Sequence, residues 1–294
     1  MVKLAAVFGL EALLLGAIGI VALDMRAHHR VEDLGGVNVW GYRGNVLRQK
    51  QPDEIRVASV GGDLAFGWGV AASETLPYFV RRLAALEIDR PGRPLKPVTA
   101  VNLAARGLPA ADYAAWIARW RYLAPDVMCI LPDPEDYRGS GDRFLPDRSS
   151  RFFTTFGYSP ILPLVLDEKG ARMQSPAVRW AGALLARLDP MTTDAARADS
   201  PRPADALDAA VRAALSVSRM GVVLVLPVDA GADARRVAIA DSRVRIVDLG
   251  RVPADTTLLT LDGFHFGAAG HSWVADAVAP AALDLIRAAD PSTR

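Results

Sequence analysis

Five short β-branched runs, each set off from the next by a helical pattern or a loop, constrain this chain more than any other feature. Ile55–Val60 (IRVASV) ends on Gly61 and Gly62, which reads as strand, tight turn, then helix. The amphipathic stretch Thr75–Leu86 follows, and a Pro/Gly-rich loop over 89–96 leads to a second strand, Val98–Asn102. Ala111–Tyr122 reads as a helix with Trp116 and Trp120 one turn apart, a spacing that points both rings into a core. It feeds a third strand, Val127–Leu131; Gly221–Val228 and Val244–Val247 supply two more, and Gly270–Ala288 closes as a helix. Strands alternating with helices predict a mostly parallel sheet covered on both faces. With 294 residues, 51% of them hydrophobic, the chain can bury one full core.

The first thirty residues obey a different rule. Leu4–Leu23 is apolar except for Glu11, about the length that crosses a bilayer as a helix, and its exit lacks a good small-residue cleavage site. It predicts a retained transmembrane anchor. Lys3 on one flank against Arg26 and Arg30 on the other leaves orientation undecided by charge. His28 and His29 read as interfacial residues with no carboxylate or cysteine at metal spacing. The expected organisation is an anchor over 1–30, a connector over 31–54, and one domain over 55–294. An insertion over 137–203 interrupts that domain, and its Phe152, Phe153, Phe156 and Tyr158 form either a substrate wall or a packing surface.

Composition removes several function classes. Thirty-four basic residues against thirty-three acidic give a formal charge of +1, which does not favour nucleic acid. Cys129 is the only cysteine and lies in an apolar run, so an intramolecular disulfide and a thiolate zinc site are excluded.

Four ordered motifs carry a resemblance. Gly61-Gly62-Asp63-Leu-Ala-Phe-Gly67-Trp-Gly69 after a strand is similar to the first motif of SGNH (GDSL-type) hydrolases, with Asp63 where the family has its nucleophilic serine. Asn38-Val-Trp-Gly-Tyr-Arg43-Gly44 resembles the lead-in of membrane-anchored members, and Asn102-Leu-Ala-Ala-Arg106-Gly107 resembles the second motif. Leu131-Pro-Asp133-Pro-Glu135-Asp136 stands where the third motif has its oxyanion-binding asparagine, at Glu135; Asp262-Gly-Phe-His265 matches the last motif in full. The resemblance implies a flavodoxin-like three-layer α/β/α sandwich with a five-stranded mostly parallel sheet. It assigns His265 as base, Asp262 as its orienter and the Gly107 N–H to the oxyanion hole; Arg106 reads either as a solvated surface residue or as an offset to charge at a nucleophilic Asp63.

The two departures decide the chemistry to expect. A serine enzyme transfers its hydroxyl proton to histidine and holds the oxyanion with donors, whereas Asp63 and Glu135 are carboxylates that would repel it. Three readings follow. In the first, catalysis is lost and the domain binds a glycan, lipid or protein. In the second, Asp63 is a carboxylate nucleophile with His265 and Asp262 activating water in ester hydrolysis or acyl transfer. In the third, Asp63, Glu135, Asp262 and His265 hold a divalent cation. The reading adopted is an SGNH-like protein at a bacterial inner membrane, its domain periplasmic, with no cofactor and a glycan or lipid acyl ester as ligand. Ser59 lies inside a strand, Ser73 lies beyond the Gly67–Gly69 turn, and His271 reads as a satisfied core or capping histidine.

Overall fold

The computed structural model describes residues 2–31, 36–88, 97–133, 155, 158, 160–188, 203–226, 240–250, 256–259 and 265–289. Along the chain these form α1 (Val2–Val31), β1 (Ile55–Val60), α2 (Asp63–Phe66), α3 (Leu76–Ile88), β2 (Val98–Asn102), α4 (Tyr113–Arg119) and β3 (Val127–Ile130). Then come α5 (Leu162–Arg172), α6 (Pro176–Leu188), α7 (Pro203–Val217), β4 (Gly221–Leu226), β5 (Val244–Asp248) and α8 (Ala268–Ala289). Two compact units divide them: residues 1–32, 36–41 and 146–192 make one, and residues 33–35, 42–145 and 193–294 the other.

The larger unit is the parallel sheet that the alternation predicts. Its order is β2-β1-β3-β4-β5 and every pairing is parallel, with Ser59 opposite Asn102 and Cys129, Ile130 opposite Leu224, and Leu226 opposite Asp248. Helices α3 and α8 pack on each other and on the sheet, and α4 pairs with α7, so helices cover both faces. Every residue of β1, β3 and β4 is buried, which explains their unbroken Val/Ile/Leu character. β5 is an edge strand and correspondingly half-exposed. Trp116 and Trp120 meet edge to face in the core, as their spacing requires, and Trp116 Nε1 donates to the Leu103 carbonyl at 2.6 Å. The segment read as one helix over 111–122 is α4 flanked by two 3₁₀ turns, Ala110–Asp112 and Trp120–Leu123, the second closed by Ala124 at φ 48°.

The chain leaves β1 for β2 on one side and β3 lies on the other. That divergence is the switch point at which doubly wound sheets open a crevice at their carboxyl edge.

In the smaller unit, α1 is long and apolar enough to cross a bilayer, and its side chains from Val7 to Leu23 all project outward. The helix then runs two turns further, with Asp24 and His28 buried. The Asp24 carboxylate accepts the backbone N–H groups of Ile161 (2.9 Å) and Leu162 (2.5 Å) at the start of α5, together with the hydroxyl of Tyr158. His28 Nδ1 donates to the Val37 carbonyl at 2.7 Å, and its Nε2 lies 3.5 Å from Asp24. The sequence reading found no carboxylate at metal spacing from His28 and gave Asp24, just after the apolar run, no role. One helical turn separates the two, and the structure pairs them. α5 and α6 pack against each other as a hairpin.

Candidate functional site

Backbone geometry at the carboxyl end of β1 fixes the site. A Cβ on Gly61 would sit 2.1 Å from the Leu131 carbonyl oxygen, so only glycine lets β1 pass β3 this closely and turn. Gly62 follows, and Asp63 opens α2, which ends at Gly67 with φ +78°. A Cβ on Gly67 would lie 2.7 Å from His271 Nε2 and from Thr75 Cγ2, so glycine is required there both by conformation and by space.

Two buried side chains hold this turn from beneath. Arg43 donates from Nη1 to the Phe66 carbonyl at 2.5 Å and to the Gly67 carbonyl, and from Nη2 to the Val70 carbonyl. Asn102 Nδ2 donates to Ala65 (3.1 Å) and Phe66 (3.3 Å), while its Oδ1 accepts from Ala104 N–H (3.0 Å) and the Ser59 hydroxyl (3.3 Å). The orphan carbonyls at the end of α2 are thereby satisfied. Burial lowers the Arg43 pKa to about 10, which leaves the guanidinium charged at neutral pH.

On the outer side of the turn, three of the candidate residues meet. Gly107, at φ +62°, directs its N–H to Asp63 Oδ1 at 3.3 Å. Arg106 Nε stands 3.6 Å from the same oxygen, and its guanidinium lies 4.0 Å over the Trp68 ring. Asp63 and Arg106 are each about a quarter exposed, so the pair is open to solvent or ligand. His265 is half-buried just ahead of α8, next to Phe266, which bridges Leu259. Glu135 and Asp262 lie outside the described residues, as do Asp136, Phe152, Phe153 and Phe156. Among the described residues no cluster of His, Cys, Asp or Glu is arranged to hold a metal.

His271 differs from its sequence reading. It is fully buried against Gly67, yet neither ring nitrogen has a hydrogen-bond partner among the described residues. Burial, reinforced by the positive charge of Arg43, lowers its pKa to about 3 and keeps the ring neutral. Ser59 is buried inside β1 on Asn102, and Ser73 lies in the 3₁₀ turn Ala72–Glu74.

Chemically, the arrangement is an anion on a small donor set. The Gly107 N–H meets a carboxylate oxygen of Asp63, so the donor is already engaged by the protein's own negative charge. Sequence reasoning passed over Arg43, Asn102 and Trp68 as parts of the site. The available signal was their place in the quoted motifs: Arg43 in the lead-in, Asn102 at the head of the second motif and Trp68 in the first.

No family model matches the chain, and no curated protein matches it. Solved structures similar to it include TesA, at 16% identity with a TM-score of 0.43, covering 78% of this chain and 99% of that one. The psychrotrophic esterase EstA from Pseudoalteromonas sp. is similar at 11% identity and a TM-score of 0.45, covering 79% and 98%. A protein described as lipolytic and of the G-D-S-L family, from Desulfitobacterium hafniense DCB-2, is similar at 12% identity and a TM-score of 0.39, covering 77% and 98%.

Proposed function

We propose that this chain is a membrane-anchored SGNH hydrolase-like protein that binds a glycan or a lipid acyl ester without performing serine-type ester hydrolysis. In this reading α1 crosses a bacterial inner membrane and the α/β unit faces the periplasm, as in the anchored members that the Asn38–Gly44 segment resembles.

One observation carries the proposal: the Gly107 N–H is engaged by the carboxylate that replaces the serine. A tetrahedral intermediate placed there would find a negative charge where it needs a donor. Loss of one such donor alone costs about 3 kcal/mol of transition-state stabilisation. Glu135, at the third motif, would add a second carboxylate. Binding of a neutral glycan or ester makes no such demand, because no oxyanion develops.

The test is an ester-hydrolysis assay with short and long acyl chains on the full-length chain in detergent micelles. The native chain and Asp63→Ser are expected to be inactive. The double variant Asp63→Ser, Glu135→Asn is expected to gain activity that His265→Ala then removes. Activity in the native chain that disappears in Asp63→Asn and in His265→Ala would overturn the proposal in favour of Asp63 as a working nucleophile.

A further inference from the structure

The outward face of α6 has a composition that water does not favour. Val178, Ala181, Gly182 and Leu185 recur at helical spacing on the face packed towards α5. Ala177, Trp180 and Leu184 recur at steps of three and four, which makes a second apolar stripe about a third of the way round the helix, and Met173 stands in the turn ahead of it. Among the described residues nothing covers this side: Trp180 is 67% exposed, Leu184 44% and Met173, in the turn ahead, 69%. Burying side chains of this kind is favourable, so a helix with water on this side forgoes that stabilisation. α6 contains no acidic residue, and Arg187 stands exposed beside the stripe, whereas Arg179 lies against Gly170 of α5.

The place where this hairpin is tied to the chain identifies its neighbour. Asp24 holds the first N–H groups of α5, and Asp24 is the residue immediately after the apolar run Leu4–Leu23. α5 has eleven residues, or about 16 Å at 1.5 Å per residue. The hairpin therefore starts where the hydrocarbon of a spanned bilayer ends and extends no more than a helix length from it. A tryptophan beside aliphatic residues, with an arginine at its edge, is the composition that settles at the boundary between acyl chains and headgroups.

We propose that the Ala177–Trp180–Leu184 face of α6 lies in the headgroup–acyl boundary of the membrane that α1 crosses, with Arg187 on lipid phosphates. This rests on α1 spanning that membrane. The chain is thereby held at two places, a span and a surface helix, and the smaller unit cannot tumble freely about a single tether.

Nitroxide labels on full-length protein in nanodiscs of mixed phosphatidylcholine and phosphatidylglycerol test this. Cys129 is buried and burial pushes its thiol up to about 12, so under native conditions an introduced cysteine takes the label. Labels go to Leu184→Cys, to Leu13→Cys in the span, and to Arg212→Cys, an exposed control on α7. The ratio of collision with oxygen to collision with a water-soluble nickel chelate is expected to be several-fold higher at 184 and 13 than at 212. If 13 reports lipid and 184 matches 212, the surface helix is refuted while the anchor stands. A label at 184 shielded from both reagents means that a protein surface, such as a second copy, covers the face, which also refutes it. A label at 13 that favours nickel refutes the membrane span itself.

Discussion

The backbone N–H of Arg56, in β1, donates to Asp126 Oδ2 at 2.7 Å, so a residue just ahead of β3 ties down the neighbouring strand. The same fully buried carboxylate holds Lys50 Nζ at 2.5 Å and Arg219 Nε at 2.8 Å. Asp126→Ala strands a buried N–H and removes the partner of two cations. Its expected cost is about 3 kcal/mol, of which the exposed Arg219 supplies little. A fall in urea midpoint at unchanged slope would show it; a loss under about 0.5 kcal/mol would contradict the assignment.

Arg43→Lys is expected to destabilise by about 2–4 kcal/mol although it keeps the charge. A planar fork reaches the carbonyls of Phe66, Gly67 and Val70 together, whereas an ammonium on a shorter stem does not. The local mark of the loss is faster hydrogen exchange over residues 63–70 than over β3. Uniform exchange across both would place the defect elsewhere.

Replacing Arg106 acts differently, because the group is partly in solvent. Arg106→Ala is expected to cost less than about 1 kcal/mol while shifting the emission of Trp68, on whose ring the guanidinium lies. In a Trp68→Phe background the spectral change should vanish. A stability loss of several kcal/mol would mean that Arg106 carries packing not visible in the ion pair.

His271 links stability to acid. Its folded pKa, about 3, is below the ordinary value near 6.5, so the unfolded chain binds the extra proton. Its contribution to stability is complete above pH 6.5 and declines by about 1.4 kcal/mol per pH unit from there towards pH 3. His271→Leu, which keeps the volume and the contact with Phe266, is expected to flatten that stretch of the stability–pH curve. An unchanged slope would show that carboxylates elsewhere produce it.

The sheet was legible because its evidence is periodic: β1 and β2 fall on Ile55–Val60 and Val98–Asn102 as read, and the buried strands advertise themselves by unbroken β-branched runs. The meeting of Asp63, Arg106 and Gly107 was legible from motif order, since each follows a strand that ends at the same edge. Arg43 was not, because a charged residue among Tyr42, Gly44 and Asn45 carries no period. Its role depends on carbonyls more than twenty residues away. Asp24 was missed for a related reason. A carboxylate at the end of an apolar helix looks like the beginning of water, and only the distant N–H groups of Ile161 and Leu162 make it interior. His271 was placed in the core, but its unpartnered nitrogens are a property of neighbours brought together by folding.

The two polar turns at the end of α1 bear on how the protein can be handled by proteases and by experimenters. A truncation that begins after Arg30 would discard Asp24 and His28 along with the apolar run Leu4–Leu23. The hairpin would then start on two bare N–H groups and a tyrosine hydroxyl without its acceptor. Such a fragment is not the same molecule made soluble. What looks like a leader is in part a keystone, and severing it should turn a stable protein into one prone to degradation.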